Sequence, residues 1–164
     1  MNPRLNSPRQ LSIVLGLSDR MMPDTPAHIR FREARERVGL SQEEVAVESG
    51  FPQANIWDIE SFEGDLTANY TPRQLQNFCR VLRIHPADLF GKKLTLSSVS
   101  PDELVRLIFE ELFMRSISLE QFEDIVGWHL RECMNPPERL LEDLTIDGLK
   151  WLCRELRLDW RRAL

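Results

Sequence analysis

Cysteine is scarce in this chain, with three in 164 residues and no C-x-x-C pair. Three thiols cannot pair completely and carry no metal-ligand spacing, which points to a reducing compartment rather than to secretion. Glycine (7) and proline (10) are too few for a collagen-like or disordered chain. No apolar run approaches the ~20 residues of a membrane span. Met1 to Gln10 lacks the apolar core of a signal peptide. The expectation is a cytoplasmic chain without membrane association, long enough to bury one core or two small ones.

Positive charge is not in excess either. There are 21 basic and 26 acidic side chains, a net of −5. Residues 1–93 hold twelve of each, so residues 94–164, with nine basic and fourteen acidic, carry the whole −5. A strong nucleic-acid binder usually shows a domain pI above ~9, and this composition lacks that excess. Lysine is nearly missing: apart from Lys92, Lys93 and Lys150, the basic residues are all Arg. Arg suits phosphate forks and planar ion pairs, and equally solvated helix faces.

Signatures of catalysis are absent as well. There is no Gly-rich phosphate loop, no H-E-x-x-H and no nucleophile elbow. His28, His85 and His129 are isolated and read as structural or solvated. Cys79, Cys133 and Cys153 sit at apolar helix positions, where a free thiol behaves as a small hydrophobe. No catalytic residue, metal site or cofactor is expected.

What the chain does contain is a series of helix starts and stops. Residues 1–27 form an arm broken by Pro3, Pro8, Pro23 and Pro26, with the short apolar run Leu11–Leu15. From His28, Ile29, Phe31, Ala34 and Val38 outline a helix that Gly39 stops. Ser41-Gln42-Glu43-Glu44 is a capping box opening a second helix, which ends at Gly50. A third follows Pro52, with Ile56 and Ile59 facing inward, and the acidic stretch Glu60–Thr71 reads as a long loop. Thr71-Pro72-Arg73-Gln74 opens a fourth helix bearing Leu75, Phe78, Cys79 and Leu82. Pro86–Phe90 is a fifth, short one. Residues 28–91 thus form a five-helix domain, and residues 92–99 a linker. Residues 100–164 form a second helical module, with caps at Ser100, Ser118 and Thr145. The chain reads as all-α.

The run Gly39-Leu40-Ser41-Gln42-Glu43-Glu44-Val45-Ala46, with Ile29-Arg30 and Arg35 before it and Ser49-Gly50-Phe51, Ile56 and Ile59-Glu60 after it, resembles the lambda repressor/Cro-like (XRE) helix-turn-helix family. Leu75, Phe78-Cys79, Leu82-Arg83-Ile84 and Asp88-Leu89-Phe90 fit its last two helices. The resemblance covers residues 28–90. It implies that the helix from Gln53 to Ser61 enters the major groove, with Gln53, Ala54, Asn55, Trp57 and Asp58 facing double-stranded DNA. It also implies that Gln42 hydrogen-bonds a backbone phosphate, and Arg30, Arg32, Arg35 and Arg37 are candidates for further phosphate contacts.

One feature departs from that family. From Ser41 to Asp65 there is no Lys or Arg, but there are seven acids: Glu43, Glu44, Glu48, Asp58, Glu60, Glu63 and Asp65. Phosphate neutralisation supplies most non-specific affinity, so these acids oppose DNA. Trp57 lies on the outward side of the reading helix. It either folds back on Phe62 or Tyr70 or anchors an interface.

The C-terminal module matches the first with erosion. Thr71…Leu75…Phe78-Cys79…Leu82 aligns with Thr145…Leu149…Leu152-Cys153…Leu156 at an offset of 74 (145 − 71). Ser41 and Gly50 align with Ser118 and Gly127 at 77 (118 − 41). One reading is a degenerate copy whose third helix is cut short by Pro136-Pro137. The other is one continuous helix from Leu119 to Met134. Phe109, Phe113, Met114, Trp128, Met134 and Trp160 exceed what one small core needs, so some are expected at an interface.

The expected function is a DNA-binding transcriptional regulator of the XRE type. It would read operator DNA as a homodimer, with a C-terminal module for dimerisation or a protein partner. The alternative is a protein-interaction module on the same fold, antitoxin-like, immunity-like or anti-repressor, whose acidic reading helix meets a protein instead.

Overall fold

The computed structural model describes residues 25–91 and 97–164. The proposed N-terminal arm up to residue 24 and the first five residues of the proposed linker, 92–96, lie outside the described residues. Among the described residues the chain is all-helical, with no strand.

The first unit follows the sequence signals closely. α1 (Ala27–Val38) ends at Gly39. α2 (Gln42–Ser49) starts on a complete capping box: the Ser41 hydroxyl accepts from the Glu44 amide, and the Glu44 carboxylate accepts from the Ser41 amide at 2.7 Å. α2 stops at Gly50, whose φ of +77° is the left-handed conformation that glycine takes without strain. α3 spans Gln53–Ser61. The stretch expected as a loop contains a further helix, α4 (Asp65–Asn69), which five residues are too few to show by periodicity. α5 (Pro72–Leu82) has the second complete capping box, Thr71 with Gln74. Pro86–Phe90 is a 3₁₀ turn rather than an α-helix, started by the His85 side chain accepting from the Ala87 amide.

The second unit repeats this order. α6 (Pro101–Arg115), α7 (Leu119–Val126), α8 (Leu130–Cys133), α9 (Arg139–Asp143), α10 (Ile146–Glu155) and a closing 3₁₀ turn, Trp160–Ala163, follow one another as α1 to α5 and its 3₁₀ turn do. The correspondence extends to the hydrogen bonds. Phe51 N–H bonds Ala46 O, and 77 residues on Trp128 N–H bonds Glu123 O; Ile84 N–H bonds Cys79 O, and 74 on Leu158 N–H bonds Cys153 O. Arg83 and Arg157, also 74 apart, share a left-handed φ of 55°. A continuous helix from Leu119 to Met134 is not formed, because Gly127 (φ +75°) breaks the chain where Gly50 does. α8 has only four residues, against nine in α3. Pro136 and Pro137 follow it, and the residue before a proline is pushed out of helical conformation.

Each unit has its own core. Phe31, Val45, Ile56, Ile59, Leu75, Phe78 and Leu82 fill the first, and Leu104, Ile108, Phe122, Leu130, Leu149 and Leu152 the second. The units meet through α4, α5 and the first 3₁₀ turn on one side and α9, α10 and the last turn on the other. Ile146 is buried in the first core and its amide donates to Tyr70 O at 2.9 Å. Phe90 meets Trp160 edge-on with centroids 4.7 Å apart. The end of the proposed linker also packs: Val99 is buried and its amide donates to Arg162 O at 2.8 Å. No helix of the described residues is long and apolar enough to cross a membrane.

Candidate nucleic-acid interface

α2 and α3 are joined by Gly50, Phe51 and Pro52, and they touch more extensively than any other pair of helices. Ala46 on α2 is small and buried, and a larger side chain there would overpack the core. Ile56 and Ile59 turn the inner face of α3 into the core. The start of its outer face stays open: Gln53 and Ala54 are exposed, and Asn55 and Asp58 are partly exposed. The second unit packs on α4, α5 and the first 3₁₀ turn, so it leaves this end of α3 uncovered.

Glu60, near the end of α3, is the buried hub beneath this surface. Arg35 of α1 grips it with two hydrogen bonds, Nε at 2.6 Å and Nη2 at 3.0 Å from the two carboxylate oxygens. Gln42 donates its amide Nε2 to the same carboxylate at 2.9 Å. Arg32 donates to the Glu60 carbonyl at 2.5 Å. Hydrogen bonding to Glu60 raises the Arg35 guanidinium further above its already high pKa. α1, α2 and α3 are thus locked into one orientation by a charged cluster. The sequence counts Glu60 among the acids opposing DNA; buried and paired with Arg35, it instead positions the helices. The sequence signal for this is Arg35 on one helix and the Ile59-Glu60 step twenty-five positions on.

That cluster decides where the expected contact residues stand. Gln42, expected on a phosphate, spends its side-chain amide on Glu60. Arg35 is inside the ion pair. Arg30 is buried, donating Nε to Thr25 O at 2.8 Å and Nη1 to Asp88 O at 3.3 Å. Only Arg37, fully on the surface, and the partly exposed Arg32 present guanidinium to solvent from α1. An arginine stem is long and apolar enough to lie in a core, so residue type alone did not separate inward from outward positions.

Asn55 and Trp57 also have neighbours. Tyr70 is buried, and its hydroxyl is held above its usual pKa by burial first and by the Asp65 charge second, with the nearby Asn55 acting the other way. Trp57 lies edge-on against Phe62 with centroids 5.5 Å apart, and both rings are half-exposed. Val47 is exposed on α2, and Glu43, Glu44, Glu48 and Glu63 are exposed as well. Among the described residues no group of three or more His, Cys, Asp or Glu is placed to hold a metal ion.

Residues 29–89 match a family model described as a helix-turn-helix domain. No curated protein and no solved structure matches the chain. The chain therefore carries a helix-turn-helix domain, and that domain is the first of its two helical units.

Proposed function

We propose that the chain is a DNA-binding transcriptional regulator of the XRE type, working in the cytoplasm and reading operator DNA as a dimer. The observation that carries this reading is the uncovered N-terminal end of α3, with Gln53 and Ala54 facing outward on a helix-turn-helix scaffold. Gln53 has the amide geometry to pair bidentately with the edge of an adenine. Asn55, partly exposed two positions on, offers a second amide to a base edge. Trp57 and Asp58 lie further along the same helix and set which sequences are tolerated. Gln42 holds α2 and α3 in register through Glu60, so its contribution is positioning. Arg37 and Arg32 supply phosphate contacts, which are few. A shallow salt dependence follows, because each neutralised phosphate contributes about 0.9 to the log–log slope. The activity is binding, without a catalytic step.

A second reading rests on a different observation. Trp57 and Phe62 form an exposed aromatic pair, and Val47 and four glutamates are exposed elsewhere on α2 and the turn after α3. Aromatic anchors accompanied by acidic groups suit a basic protein surface. The two readings separate on immobilised mixed-sequence duplex DNA at low and moderate salt. Retention that falls with salt and is lost in Gln53→Ala/Asn55→Ala supports the regulator. No retention at low salt removes it and leaves the protein partner.

A further inference from the structure

We infer that the outer face of α6 is the surface through which two copies of this chain associate. α6 turns Leu104, Ile108 and Leu112 into the second core. Its opposite side carries Phe109, Phe113 and Met114, exposed to 54%, 84% and 77%. With Arg106 and Glu110 these residues line one shallow, open, apolar depression. Large side chains this exposed on a single helix face mark an interaction site rather than a packing solution.

The charges select the occupant. Arg106 is paired along the helix with Glu110 and lies 3.5 Å from Glu103. A basic group and acidic groups therefore share one apolar patch. A twofold axis near Phe109 and Glu110 would set two α6 helices antiparallel. Arg106 of each copy would then approach Glu110 of the other, and the two Phe109–Phe113 pairs would pack together. Such an isologous contact needs a surface complementary to itself, and this one carries both signs. Arg106 already neutralises Glu110 on its own helix, so a partner of one sign gains no attraction here, whereas a second copy can exchange the same pairing across the axis. Arg106, Phe109 and Phe113 are spaced by three and four residues, the alternation along which helices pack at about 20°. A second open depression of this unit is lined by Glu120, Glu123, Asp124 and Glu132 with Arg131, so two copies repel there. Use of the pair to read two half-sites rests on the DNA-binding reading; the association itself does not.

The test is sedimentation of the full chain without DNA. The expected result is a mass twice the 19.2 kDa of the chain, reduced to the monomer by Phe113→Glu with unchanged far-UV circular dichroism. Arg106→Glu and Glu110→Arg each weaken association roughly tenfold, the order of a partly exposed interfacial charge pair, and the double variant restores it. A wild-type monomer at every concentration overturns the inference, as does a dimer that Phe113→Glu leaves intact. A dimer that behaves as expected but does not bind duplex DNA upholds this interface and removes the DNA reading.

Discussion

Arg35 and Glu60 face each other across α1 and α3 in a two-pronged ion pair, with N–O distances of 2.6 and 3.0 Å and the carboxylate almost wholly out of water. Neither group is replaceable alone. Removing one leaves a buried charge without its partner, which typically costs about 3–5 kcal/mol. Arg35→Ala and Glu60→Ala are each expected to lose that much in urea unfolding. Arg35→Ala/Glu60→Ala should lose less than the sum of the two, because the second change removes the stranded charge. Additive losses would show that the two residues act independently.

Gly148 and Trp128 make a second tight contact. A Cβ on Gly148 would lie 2.8 Å from Cε2 and 2.9 Å from Cζ2 of the Trp128 ring. Alanine is the better helix former by about 1 kcal/mol. Overpacking a buried contact costs about 1–3 kcal/mol, and the ring is held on its other side by the second core, so overpacking wins. Gly148→Ala should lower the Tm, and Trp128→Phe should recover part of the loss by withdrawing the ring edge. A Gly148→Ala variant more stable than the parent contradicts this packing.

Asp159 carries a pH signature. Hydrogen bonding to the Arg161 side chain, at 2.6 and 3.0 Å, holds its carboxyl below the usual range, and the Arg161 amide at 3.1 Å adds to the effect. A carboxyl depressed in the folded state stabilises above its unfolded pKa of about 3.9, and that stabilisation is lost as pH falls through the folded value. Asp159→Asn should therefore lower the Tm near neutral pH. The two proteins should converge as the pH falls through the folded value, below the ordinary carboxyl range. A difference that persists undiminished in acid would assign the effect to the cap rather than to the charge.

Local chemistry made much of the fold legible before any coordinates. The capping boxes at Ser41, Thr71 and Ser118 all close as their spacing requires, because a hydroxyl and an acid or amide three residues apart have one way to satisfy two free amides. Gly50 and Gly127 stop their helices at matching places. α4 stayed hidden because five residues carry no periodicity. Interior arginines stayed hidden too. Arg30 and Arg37 look alike in sequence, yet one reaches the carbonyls of Thr25 and Asp88 and the other faces solvent. The surplus aromatics separate only in three dimensions: Trp128 closes on Gly148 and Trp160 on Phe90, while Phe109 and Phe113 remain outside.

Base reading by α3 is the property from which the proposed regulation follows. Selection of bound sequences from a random duplex pool, followed by fluorescence anisotropy on the winner, tests this directly. The expected result is an enriched site of two half-sites about 34 Å apart. Gln53→Ala should weaken the selected duplex by about 1–3 kcal/mol and hardly affect random duplex. Arg37→Ala should weaken both alike, with a log–log salt slope smaller by about 0.9. No enrichment over the starting pool, with equal affinity for wild type and Gln53→Ala at low salt, would contradict it.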